Sequence, residues 1–83
     1  MMSDFDKKLA SNIIEAISMI RIPKLEEIKD YVKTDPTIEC MFDIDVEHML
    51  LFLLDNGIIN SNGSLYTINR NRWNFFKEEQ RIC

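Results

Sequence analysis

Apolar residues recur at helical spacing in three stretches of this chain, and two short apolar runs then flank a turn signal. In the first stretch Leu9, Ile13, Ala16, Ile17 and Ile20 fall three or four residues apart, which predicts a helix over residues 4–20 with one buried stripe. Ser3 or Asp4 suits its N-cap, and Asp6 is favourable in the first turn. Pro23 cannot continue that helix, and Ile22 just before it is predicted to form a short edge strand.

A second helix is expected just after Pro23, with Leu25, Ile28 and Val32 on one face and Glu26, Glu27, Lys29 and Lys33 on the other. Thr34-Asp35-Pro36 ends it, because the residue before a proline avoids helical torsions. In the connector over residues 37–43, Ile38, Met41 and Phe42 are expected to tuck under the helices. The third helix is predicted to begin at Asp43 or Asp45, both suited to capping, with Val46, Met49, Leu50 and Leu53 as its core face. Gly57, after Asp55 and Asn56, marks its end.

Beyond it, Ile58-Ile59 reads as a strand, Asn60-Ser61-Asn62-Gly63 as a turn and residues 65–68 as a second strand, since Asn-Gly between apolar runs is a strong hairpin signal. Residues 71–80, with Trp73, Phe75 and Phe76, are predicted to form a short last helix. There is no internal repeat and no low-complexity linker. The expected fold is α+β and mainly helical. It is a winged helix: a three-helix helix-turn-helix core, a two-stranded β wing and an extra C-terminal helical segment, forming a single domain over residues 1–83.

With 83 residues, such a domain hides only about 60% of the surface its unfolded chain exposes, so the core must be compact. An apolar fraction of 46% is enough to build one. Cys40, Cys83 and the single His48 match no metal-ligand spacing, and the cysteines read as free thiols in a reducing compartment, with a structural disulfide as the alternative. No apolar run approaches the ~20 residues that span a bilayer, and residues 1–6 lack the architecture of a signal peptide. A soluble, intracellular domain with no membrane contact is expected.

Charge changes the functional picture most. A helix-turn-helix ordinarily places its second helix in the major groove of DNA, and its affinity rests on Lys and Arg against phosphates. From residue 34 to residue 69 this chain has no Lys or Arg, whereas Asp35, Glu39, Asp43, Asp45, Glu47 and Asp55 all lie there. The basic residues stand in the flanks: Lys7, Lys8, Arg21, Lys24, Lys29 and Lys33 on one side, Arg70, Arg72, Lys77 and Arg81 on the other. With a net charge of −4, the expectation is no nucleic-acid binding. The alternative is a winged-helix transcription regulator that uses an unusual face.

Catalysis by this chain alone is not expected. His48 has no evident nucleophile or orienting group beside it in sequence, and the Asp43/Asp45 pair is explained by capping. Two glycines make no phosphate loop, so no cofactor is expected.

On a helical wheel Leu51 stands about 140° and Phe52 about 120° from the centre of the third helix's core face. Exposed apolar groups there would mark an interaction site, unless the connector or the last helix covers them. The candidate contact residues are Glu47, His48, Leu51 and Phe52, with Tyr66 on the wing as a further aromatic anchor or as packing within the hairpin.

Three segments in order carry a family resemblance: Ile13-Ile14-Glu15-Ala16-Ile17, then Lys24-Leu25-Glu26-Glu27-Ile28, then Asp43-Ile44-Asp45-Val46-Glu47, followed by a hairpin ending in Tyr66-Thr67-Ile68. Over residues 13–69 the chain resembles the C-terminal winged-helix domain of the cullin family, in the form carried by the cullin-like subunit of the anaphase-promoting complex. In ordinary cullins the first helix holds a lysine that accepts a ubiquitin-like modifier. By spacing that position is Ser18 here, as expected of the anaphase-promoting form. A tail over residues 70–83 is a second departure, longer than the family's ending.

The resemblance implies a C-terminal fragment of a ubiquitin-ligase scaffold, acting in the nucleus and cytoplasm in cell-cycle control. It implies a monomeric, non-catalytic module beside the RING subunit that helps position a ubiquitin-conjugating enzyme.

Overall fold

Carboxylates placed three residues into a helix shape this fold from its beginning. In α1 (Asp4–Met19) the Asp6 amide donates to Ser3 Oγ at 3.1 Å, and the Ser3 amide donates back to Asp6 Oδ2 at 3.4 Å. This reciprocal pair satisfies two amide donors that a helix start otherwise leaves unmade. Half of the same device opens α2 (Leu25–Lys33), where the Lys24 amide donates to Glu27 Oε1, and α3 (Asp43–Asp55), where the Phe42 amide donates to Asp45 Oδ2. Asp43 and Asp45 are therefore not N-caps as expected. The N-cap is Phe42, Asp43 is the first helical residue, and Asp45 reaches back from the third position.

The structure is a computed structural model and describes residues 2–20, 23–34 and 42–82. The edge strand at Ile22, the connector residues Ile38 and Met41, and both cysteines lie outside the described residues.

Among the described residues the elements run α1, α2, α3, β1 (Ile59–Asn62), β2 (Leu65–Ile68) and α4 (Arg70–Gln80), a mainly helical α+β arrangement with one antiparallel two-stranded sheet. The strands pair in the register Ile59 with Ile68 through Asn62 with Leu65, so Gly63 and Ser64 form a two-residue connection. The expected four-residue turn at Asn60–Gly63 is thus too long. Asn60, Ser61 and Asn62 are exposed strand residues, and only Gly63, at φ +67°, has the left-handed backbone that a tight connection needs. Pro23 and Lys24 extend this small sheet. Lys24 bridges Leu65, and the Tyr66 amide donates to the Pro23 carbonyl at 3.2 Å.

α1 lies at the centre and packs against α2, α3 and β2. Of its expected stripe, Leu9, Ile13, Ala16 and Ile17 are buried while Ile20, the C-cap in extended backbone, is only half-buried, and Ala10 and Ile14 join the core because helices approach from two sides. Ile28 and Val32 of α2, the four predicted core residues of α3, and Ile58 and Ile59 complete the core. Each such aliphatic side chain contributes about 1.5–3 kcal/mol on full burial. From α4, Trp73 and Phe76 are buried and stack at 6.1 Å, whereas Phe75 faces solvent. Phe42 is 69% exposed, against the expectation that it would tuck under the helices: as the residue preceding α3 it points outward.

The end of α3 is a two-bond reversal: the Gly57 amide donates to the Leu54 carbonyl and the Ile58 amide to the Leu53 carbonyl, both at 3.0 Å. Gly57 at φ +70° permits it, and Leu53 and Ile58, both buried, close the apolar side of the turn.

Candidate protein-binding groove

α3 carries apolar residues on its outward side as well as its inward one, and on the outward side Ile44 and Leu51 are left uncovered among the described residues. Val46, Met49, Leu50 and Leu53 point inward. On the other side Ile44, His48, Leu51 and Asp55 fall at intervals of four, three and four residues and form one outward stripe. Ile44 is 54% and Leu51 58% exposed.

That stripe borders an open groove of about 400 Å³. Leu25 from the start of α2 and Tyr66 from β2 form its far wall, and Leu50, Leu54, Glu47 and His48 line the α3 side. Four of the five sequence-predicted contact residues therefore meet in one place: Glu47, His48, Leu51 and Tyr66. Tyr66 is half-buried, packed against the core on one side while lining the groove on the other. Ile44, Leu54 and Leu25 were not singled out from sequence. Ile44 was detectable, because it shares Leu51's direction on the wheel.

Phe52 belongs elsewhere. It borders a second, smaller groove of about 290 Å³ between α3 and the N-terminal part of α1, with Met2, Phe5 and Asp45. The last helix partly covers it: the Phe52 and Phe76 rings meet edge to face at 5.9 Å. His48 lines both grooves and forms the ridge between them.

The electrostatics are set by α2. Lys29, placed on the polar face by the sequence reading, is buried, and its ammonium donates to Glu47 Oε1 at 2.9 Å. That hydrogen bond holds the Lys29 amine above its ordinary value, against the opposing effect of burial. Lys33 pairs with Asp43 one turn earlier on α3, and this hydrogen bond lowers the Asp43 carboxyl below its ordinary value. Glu47 is thus already committed to the α2–α3 contact, although its side chain remains 46% exposed. Tyr31 Oη donates to Glu15 at 2.9 Å, tying α2 to α1 as well. Ser18 Oγ accepts from Arg70 Nη2 at 3.2 Å and ties α4 to α1.

Among the described residues no group of three His, Cys, Asp or Glu side chains is placed to hold a metal ion, and no helix is long and apolar enough to cross a membrane. No family model matches the chain, and neither a curated protein nor a solved structure matches it.

Proposed function

We propose that this chain is a winged helix that serves as a non-catalytic protein-interaction module of a cullin-type ubiquitin ligase of the anaphase-promoting kind. It helps position a ubiquitin-conjugating enzyme beside the RING subunit for ubiquitin transfer in cell-cycle control. The order of three helices followed by a hairpin supports the winged-helix reading. So does the bridge from Lys24 to Leu65, which lays the segment before α2 against the wing.

The observation that carries the interaction reading is the exposed apolar groove at Leu51 and Ile44 on a helix without a single Lys or Arg. A phosphate backbone is repelled by such a surface, whereas apolar groups of a protein partner are received by it. The ligase assignment itself rests on the sequence resemblance. The chemistry then belongs to the conjugating enzyme, and this module supplies proximity.

An amide-resolved NMR titration tests both parts, with ubiquitin-conjugating enzymes in one series and duplex DNA in another. Saturable shifts on α3 and β2 with an enzyme, and none with DNA, are expected. Salt-sensitive, saturable shifts with DNA would instead favour a nucleic-acid regulator, and silence in both series would point to a domain that only packs within its scaffold.

A further inference from the structure

Resting on the protein-interaction reading, we propose that the groove between α3 and Tyr66 takes an amphipathic helix of about three turns whose apolar stripe is flanked by Lys or Arg. Three observations lead to this occupant.

The first is shape. From Ile44 to Leu54 the apolar side of α3 runs about 15 Å, nearly three turns. A helix laid along it presents anchors at the same three- and four-residue intervals. The second is that the β2 edge beside Tyr66 is already engaged. Leu65 is already bridged by Lys24, and the Tyr66 amide already donates to Pro23, so an extended peptide has no ladder to join there.

The third is charge. α3 carries four acids, Asp43, Asp45, Glu47 and Asp55, against two lysines reaching it from α2, Lys29 and Lys33. Lys29 and Lys33 pair with Glu47 and Asp43, Asp45 lines the second groove, and Asp55 is the acid of the outward stripe that has no ion pair among the described residues. Asp55 continues the stripe of Ile44, His48 and Leu51 at one end of the groove, where it meets the flank of an incoming helix. Lys24, exposed next to Leu25, is the cation on the opposite wall, so the partner's basic flank faces α3. Complementary charge across such a rim sets orientation and encounter rate more than affinity, and the apolar stripe supplies the anchoring.

The test uses the full chain and two labelled helical peptides of about 14 residues, the length of three to four turns. One is built from leucine and lysine, the other from leucine and glutamate with the same leucine positions. Anisotropy should show saturable binding of the lysine peptide, with the glutamate peptide weaker by at least about tenfold. Leu51→Ser and Ile44→Ser, each at an exposed position, should each weaken the lysine peptide by a similar factor. Equal binding of the two peptides, lysine-peptide binding unmoved by both substitutions, or no binding by either would overturn the proposal.

A parallel titration with ubiquitin-conjugating enzymes separates the two readings. Enzyme-induced shifts on α3 without peptide binding remove the helical occupant and leave the interaction module standing. Peptide binding without any enzyme response keeps the helical occupant and removes the conjugating enzyme as the partner.

Discussion

Lys29 of α2 sits with its side chain 10% exposed and its ammonium 2.9 Å from Glu47 Oε1 of α3, so a buried stem ends in an ion pair at the surface. The pair fastens the two helices whose acids and lysines shape the groove. Removing the carboxylate leaves the ammonium of a nearly buried side chain held against apolar surface without its partner, which is the costly half of such a pair. Replacing Lys29 by Met keeps the stem's packing and removes the charge along with its need for a partner. Urea denaturation should therefore show Glu47→Ala to be more destabilising than Lys29→Met. The double variant should lose less than the sum of the two. Strict additivity would show that the contact contributes nothing to stability.

The second ion pair makes a pH prediction. The Lys33 hydrogen bond lowers Asp43 below its ordinary 3.8, so the folded chain favours the charged carboxylate more than the unfolded chain does. Its contribution is therefore present above about pH 4 and fades as the pH falls through the lower, folded value. Lys29 behaves oppositely. Its amine is held above the ordinary 10.5, so its contribution persists through neutral pH and is lost only when the pH rises beyond that. Between pH 7 and about pH 2, Asp43→Asn should lose less stability than the wild type. Asp43 is half-exposed, so the difference is small and shrinks as salt is added.

Helix positions and the α3 core face were legible because spacing alone fixes them, and Ser3 at the start of α1 acts as the cap that its residue type allows. Lys29 was misread by residue type. On the α2 wheel it falls within about 40° of Leu25, and Val32 lies on that same side, so position marked it as inward while its charge suggested solvent. Four methylenes resolve the conflict by crossing apolar surface to reach Glu47. The caps of α3 were misread by one step, since Asp45 three residues after Phe42 is the reach-back half of a capping box rather than a cap. Leu51 was legible as an outward residue. That Tyr66 and Leu25 would form the opposite wall depends on contacts between elements distant in sequence, which periodicity does not encode.

Leu51 and Leu53 make a matched test of inside and outside on α3. Leu53 is fully buried, so Leu53→Ala removes core packing and should cost about 2–5 kcal/mol. Leu51 is 58% exposed, and Leu51→Ala should stay within about 0.5 kcal/mol. Denaturant midpoints at unchanged slope check both. A large loss from Leu51→Ala would make that residue part of the core and remove it from the groove's wall.

α4 is the last element of the chain's described residues, yet Trp73 and Phe76 are buried and Phe76 touches Phe52. Phe76→Ala should cost about 3–5 kcal/mol, as for other buried aromatics. The emission of the single Trp73 should also move to longer wavelength as its stacked neighbour is lost and water reaches it. If stability and emission both stayed unchanged, α4 would be a detachable appendage.

The two reversals that end α3 and α4 share a hydrogen-bond pattern but differ at the residue that turns. At the end of α4 the Arg81 amide donates to Glu78 and the Ile82 amide to Lys77, matching the bonds of Gly57 and Ile58. Gly57 occupies the left-handed position in the first case, and Arg81, at φ 57°, in the second. A side chain there crowds the following carbonyl at a cost of about 1–2 kcal/mol, which glycine avoids. Opposite effects are therefore expected: Gly57→Ala should destabilise by about 1 kcal/mol, while Arg81→Gly should stabilise by up to about that amount. Helix-end fraying of α4, followed by amide exchange of residues 77–82, should slow in Arg81→Gly. Faster exchange would mean that the arginine side chain contributes more than its backbone strain removes.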